Sequence, residues 1–406
     1  MSTPRTTDVR SFPVGPLALT IFLVALNLRA ALAALPPLVR TIQADLGIDS
    51  ATAGLLTTLP VLCMGLFAPV AQRLAHRVGR EATVGWALVL LLAGQLLRLG
   101  GAVLAVLMLS TVLVGIGIAL AGTVLPGIVK EFFGDRSGSM TGVYLFAMMV
   151  GAAASSAFAV PIADATGSWQ VALAVWGVLA VVGLAAWLPV VRRVNSRADP
   201  DEDSPGSSRT LPWRSATTWL LAAYLALQSL GFYSQIAWIS PAYQSYGWSA
   251  KDAGLLLSVW SLAQLVTGFA APVLADRVRD RRPLVAVAVG LNVAGLVGII
   301  VAPTGAAVLW IVLLALGQGG GFALGLVKLV DYAPTPSASA RLSALVFLVS
   351  YSTASLGPFV FGAVHDVTDS FTASFALLLV VALVQLTLVP RLRPGRLTEP
   401  VGRMSA

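Results

Sequence analysis

Twelve apolar stretches, each about as long as a bilayer core is thick, dominate the sequence. They fall at 14–39, 52–74, 83–101, 103–128, 140–163 and 169–190, and then at 216–241, 252–275, 284–302, 306–330, 342–364 and 371–390. A helix needs about 20 apolar residues to cross the hydrocarbon layer. Lipid offers no water to backbone N–H and C=O groups, so these segments must be helical. The expected fold is all-α: a polytopic membrane protein with twelve transmembrane helices in two pseudo-symmetric six-helix bundles. An even number of spans returns both termini to one side. Charged residues make up only 11% of the chain and hydrophobic ones 57%, with a mean hydropathy of +0.86. A soluble domain carries about 25% charged residues, so the apolar surplus here is expected to face lipid.

Charge supplies the orientation. With the N-terminus inside, 21 of the 26 basic residues fall in cytoplasmic segments, among them Arg73, Arg77 and Arg80 after the second span and Arg277, Arg279, Arg281 and Arg282 after the eighth. The excess of Lys and Arg in short loops places both termini in the cytoplasm of a multi-pass cell (plasma) membrane protein. The same reading explains the net charge of +8 without nucleic acid as a partner. The first span, at 14–39, is too long for a signal-peptide core and is interrupted by Arg29, so cleavage is disfavoured. One cysteine, Cys63, and two histidines, His76 and His365, leave no disulfide framework and no metal cluster, and no cofactor is expected.

Residues 195–212, NSRADPDEDSPGSSRTLP, form a polar Pro/Ser/Asp-rich interval that cannot bury itself. It divides the chain into an N-terminal bundle (1–194), a cytoplasmic linker (195–215) and a C-terminal bundle (216–406). The halves are alike. Residues 47–78 and 247–278 share eleven identities in thirty-two positions, including Ala53-Gly54-Leu55-Leu56 with Ala253-Gly254-Leu255-Leu256 and Arg77-Val78 with Arg277-Val278. Parallel repeats of this kind are the sequence sign of a two-bundle carrier.

The six-plus-six layout and the basic loops LAHRVGRE (74–81) and LADRVRDRR (274–282) resemble the major facilitator superfamily. Its loop signature has an acid, a base and a Gly-Arg pair. The second copy keeps Asp276-Arg277, whereas the first carries His76 in the acid's place, which weakens the case for a charge relay there. Four segments resemble the cyanate and nitroimidazole transporter branch: LNLRAALAALPPL (26–38), GIGIALAGTVLPGIVKEFF (115–133), LGQGGGFALGLVKLVDYAPTPSASARLS (316–343) and LGPFVFGAVHDVT (356–368). The resemblance implies alternating access around a central solute site. It does not fix the solute, because one fold hosts many.

Arg29 lies near the middle of the first span, where a guanidinium costs at least a few kcal/mol. Its planar fork suits an anionic group, and Asn27 adds a polar neighbour; a tie to helix carbonyls is the structural alternative. Tyr233, Gln235, Trp238, Gln264, Gln318 and Tyr351 fall at similar depth in the second half and suit the sparse polar lining of a solute cavity, although interhelical bonding would use the same residue types. Lys328 and Asp331, three apart on one helix face, together with Asp276 and Arg277, are candidates for gating or proton coupling, or for a pair that only softens insertion. Arg98, near the outer end of the third span, is expected to snorkel to the headgroups. The run Gly317 to Gly321 is expected to bend the tenth span.

These observations point to a secondary active transporter of a small anionic or polar solute, working as uptake with proton symport or anion exchange. No carboxylate falls at mid-membrane depth to serve a buried relay. An efflux carrier for drugs or metabolites is the alternative. A receptor would need large folded soluble segments, and an enzyme a nucleophile or metal constellation, so the chain is expected to be neither. A monomer is expected, with the bilayer, the solute and a coupled proton as partners.

Overall fold

The computed structural model describes residues 14–133, 137–193, 213–332 and 336–393, and residues 195–212 of the expected linker lie outside them. Among the described residues every regular element is helical, and twelve helical segments are long and apolar enough to cross a membrane. The first half comprises α1 (Val14–Ala33), the short α2 (Val39–Leu46), α3 (Ser50–Val78), α4 (Arg80–Leu97), α5 (Leu104–Phe133), α6 (Ser137–Thr166), the short α7 (Trp169–Ala174) and α8 (Gly177–Arg193). The second comprises α9 (Ala216–Ser245), α10 (Ala250–Ala275), α11 (Arg282–Val301), α12 (Ala307–Asp331), α13 (Pro336–Thr368) and α14 (Phe371–Leu388).

Several helices outrun the apolar stretches, α3 and α5 by about a turn at one end, because polar residues continue a helix once it leaves lipid. Pro36 and Pro37 form a 3-10 turn that separates α1 from α2. Pro60, Pro69, Pro126, Pro241 and Pro358 instead sit inside unbroken helices, where neighbouring helices accommodate the lost N–H. The glycine run likewise leaves α12 as one continuous helix. There the missing side chains permit close approach to three neighbours. A Cβ would stand 2.5 Å from the Asn292 backbone at Gly317, 2.3 Å from the Gln264 carbonyl at Gly319 and 2.6 Å from the Gln228 amide at Gly321.

The two halves meet through α3 against α13 and α6 against α10. We call the end at which α1 begins and α14 finishes proximal and the other distal. At the distal end one apolar core runs through both halves, from Leu38, Ala53 and Trp169 to Trp238, Leu257 and Phe361. At the proximal end each half keeps its own core, around Leu88, Ile118 and Trp187 in the first and Leu225, Val289 and Leu342 in the second.

Polar contacts between the halves cluster at the distal end. Asp366 of α13 takes the Ser50 amide on Oδ1 at 3.0 Å and the Ala51 amide on Oδ2 at 2.7 Å, so it caps the first turn of α3 from the opposite half. Asp49 caps the next amide, Thr52, at 2.8 Å. Ser156 Oγ is 2.8 Å from Ser258 Oγ, and Gln244 donates to the Pro37 carbonyl at 2.9 Å.

The repeat extends to turn geometry. Thr166 Oγ1 donates to Ile162 O at 2.7 Å just before Gly167, whose φ is +67°. Thr368 Oγ1 donates to Val364 O at 2.6 Å just before Asp369, whose φ is +50°. The second turn therefore places a side chain in the left-handed region that the first gives to glycine. Asp369→Gly is expected to stabilise the protein by about 0.5–1 kcal/mol, read as a higher unfolding midpoint of the purified protein in detergent. A lower midpoint would show that the Asp369 side chain returns more than its backbone strain.

Candidate functional site

Midway between the ends, α1, α6, α9, α10, α12 and α13 enclose a cavity of about 140 Å³. Arg29 lines it, and its guanidinium carbon lies 4.7 Å from the Phe232 ring centroid and 5.7 Å from that of Tyr233. Aromatic faces supply part of the stabilisation that water would give a cation. Its Nε and Nη1 are shielded from solvent and have no hydrogen-bond partner among the described residues. No carboxylate is among the described residues that line the cavity. Two donors of a cationic fork thus lie buried and unspent beside a mostly apolar chamber, where an unpaired polar group is costly.

Of the other residues singled out for the solute, Tyr233, Gln264, Gln318 and Tyr351 line this cavity with Arg29. Asn27, Gln235 and Trp238 do not. Asn27 Nδ2 donates to Leu23 O at 2.8 Å and Leu179 O at 3.0 Å, tying α1 to α8. Gln235 is spent on Asn292 at 3.0 Å and on the Trp260 indole at 3.3 Å. Trp238 donates to Pro358 O at 2.8 Å and stacks on Phe361 in the distal core.

The wall also includes Gln228, Ser229 and Phe232 on α9, Met148 and Met149 on α6, and Phe269 and Phe322 on α10 and α12. The α9 group was readable in part. Gln228, Ser229, Phe232 and Tyr233 follow the i, i+1, i+4, i+5 spacing of one helix face. The methionines carry no comparable signal, because their residue type serves packing equally well.

The gating candidates lie at the proximal end. Asp331 pairs with Arg281 of the α10–α11 connection rather than with Lys328, and Arg281 also lies 3.9 Å from Asp276. Lys328 is buried, donates to Leu392 O at 3.4 Å and lies 5.4 Å from the Tyr332 ring. Arg277 is exposed. Beside them, the side-chain bond from Arg282 holds the Asp280 carboxyl down at about 2. In the first half, Arg80 bonds Glu131 at 3.0 Å at the same end.

Arg98 departs from expectation. It is only 1% exposed, donating to Gln95 Oε1 at 2.8 Å and to Ala31 O at 3.0 Å. The end of α4 tucks beneath the last turn of α1, so the guanidinium joins helices instead of reaching a headgroup.

The family model of the Major Facilitator Superfamily matches residues 17–244 and again 221–403. The chain is 33% identical over 366 residues to the uncharacterized transporter YycB of Bacillus subtilis, covering 90% of each chain. It is 32% identical to the 2-nitroimidazole transporter of Escherichia coli, covering 87% of this chain and 88% of that one, and 31% identical to the cyanate transport protein CynX of the same organism, covering 94% and 98%. Among solved structures, the D-xylose-proton symporter superposes with a TM-score of 0.78 at 15% identity, covering 96% of this chain and 100% of that one. The chain belongs to the Major Facilitator Superfamily and is a multi-pass membrane transporter of small solutes, not an enzyme.

Proposed function

We propose that this transporter is a secondary carrier that moves a small anionic or polar solute by alternating access, with the solute held on Arg29. Both termini lie in the cytoplasm, so the distal end faces out and the cavity communicates inward. The bundles 1–194 and 216–406, joined by 195–215, rock about the cavity, and the protein works as a monomer in uptake by proton symport or anion exchange. The observation that carries this reading is the pair of Arg29 donors that have no partner among the described residues, beside a cavity whose described lining holds no carboxylate.

Size supports it. At about 140 Å³ the cavity is smaller than the roughly 300–1,000 Å³ typical of drug-sized ligands. One relative is a transporter of cyanate, a small linear anion. Tyr233, Gln264, Gln318 and Tyr351 complete the proposed binding set, and Asp276, Arg277, Lys328 and Asp331 belong to the cytoplasmic end, where Arg281 links two of them. A second reading, efflux of a small aromatic compound, is favoured by the aromatic wall and by the nitroimidazole relative.

Counterflow in proteoliposomes separates the two. Preloaded small anions such as cyanate or acetate should drive uptake of the same labelled anion, and neutral nitroaromatics should not. Counterflow confined to the neutral aromatics would sink the anion reading.

A further inference from the structure

The amide of Gln318 has its orientation dictated by its neighbours. Gln228 Nε2 lies 3.0 Å from the Gln318 backbone oxygen, which only accepts, so the Gln228 atom there must be nitrogen. That nitrogen is also 2.7 Å from the Gln318 side chain, which must answer with its carbonyl Oε1. Gln228 Oε1 in turn accepts from Gln385 Nε2 at 2.7 Å. The relay therefore runs from Gln385 through Gln228 to Gln318 and ends on Gln318 Nε2. This nitrogen is buried on a residue 1% exposed, and it has no hydrogen-bond partner among the described residues. Gln318 lines the same cavity as Arg29. Gly231 leaves the amide its room, since a Cβ there would stand 3.0 Å from that nitrogen.

We propose that Gln318 is a second solute anchor, so that the site takes small solutes with two electron-rich groups, an anionic head for Arg29 and a separate neutral acceptor for Gln318. The proposal rests on the reading of Arg29 as the anion site. Arg29 is on α1 and Gln318 on α12, so a solute that engages both spans the seam between the halves, whereas a solute with one such group does not. Binding energy is then available to hold the halves in one arrangement, which a carrier needs from its solute.

The test uses four carboxylates of nearly one shape as probes: benzoate, picolinate, nicotinate and isonicotinate. The last three carry a ring nitrogen acceptor at different positions. Titration of the purified transporter at neutral pH should show at least one pyridine isomer binding about tenfold more tightly than benzoate, because benzoate leaves the Gln318 donor unpaired. Gln318→Met should remove that preference, so that no pyridine isomer binds more tightly than benzoate. Should that variant fail to fold, Gln318→Glu keeps the acceptor for Gln228 and loses the donor; it should weaken all four probes and again abolish the ring-nitrogen preference. Arg29→Ala should lose all four. Equal binding of the four probes by the parent protein, lost in Arg29→Ala, would overturn the role of Gln318 and leave that of Arg29 intact. Binding that survives Arg29→Ala, or no binding of any probe, would overturn the Arg29 reading and this proposal with it.

Discussion

Gly54→Val and Gly254→Val are each expected to hold the halves apart at the distal end and to slow transport tenfold or more. The two glycines occupy matching places in the repeat, and each faces backbone of the opposite half. A Cβ at Gly54 would stand 2.6 Å from the Pro358 carbonyl oxygen, and one at Gly254 would stand 2.5 Å from that of Ser156. Backbone cannot rotate aside as a side chain can, so the clash is relieved by separation. Overpacking of this kind costs about 1–3 kcal/mol, enough to shift a two-state equilibrium by about one to two powers of ten. Because each collision crosses the seam, either half can fold without meeting it. The reporter is a cysteine at Ser258, buried in the seam, in a Cys63→Ala background. It should become reactive to an impermeant maleimide in the valine variants and stay protected in Gly122→Ala, where a Cβ meets nothing within 4 Å. Protection in all variants with normal transport would show that the distal contact does not move.

Arg29→Ala should separate stability from function. The side chain leaves two buried donors unpartnered and a cation at mid-membrane depth, so its removal is expected to raise the stability of the solute-free transporter by about 1–2 kcal/mol. The same change should weaken the transported anion at least a hundredfold, since it removes a charge-assisted, bidentate contact. Arg29→Lys keeps the charge without the fork and should fall between, about tenfold weaker. The readouts are the unfolding midpoint without solute and the KM for anion counterflow. Normal counterflow in Arg29→Lys would remove the bidentate requirement, and a lowered midpoint in Arg29→Ala would show that the guanidinium is a structural tie.

For Arg29 the position along the span was legible in the sequence, and for its neighbours the direction around the helix axis was not. Counting along apolar runs put Arg29, Asn27, Gln235 and Trp238 near mid-span, yet only Arg29 of these four lines the cavity. A soluble helix reveals its buried face through the contrast between apolar and polar sides. A helix that meets lipid on one side and protein on the other is apolar all round, and the contrast vanishes. Arg29 stood out because its cost at that depth demanded an explanation. Asn27 and Gln235 carry no such demand, since one or two hydrogen bonds to a neighbouring helix satisfy them. Arg98 misled for a related reason. Snorkelling presumes an end that reaches the headgroups, and the packing of α4 under α1 supplies acceptors sooner. The repeat was legible where both copies kept their residues, as with Gly54 and Gly254. The cross-half cap by Asp366 was not, because it joins positions 316 residues apart through backbone amides that have no sequence signature.

That cap has a kinetic meaning. If the distal end parts, the Asp366 carboxylate and the Ser50 and Ala51 amides all meet water together, and each lost bond is replaced. The net loss is then about 1 kcal/mol per bond, far below the strength of the bonds themselves. The dry surface behind the cap, from Leu38 to Phe361, has no such substitute. The clasp accordingly fixes the register in which the halves dock, and in the proposed cycle the turnover frequency is left to the dry surface that parting would wet.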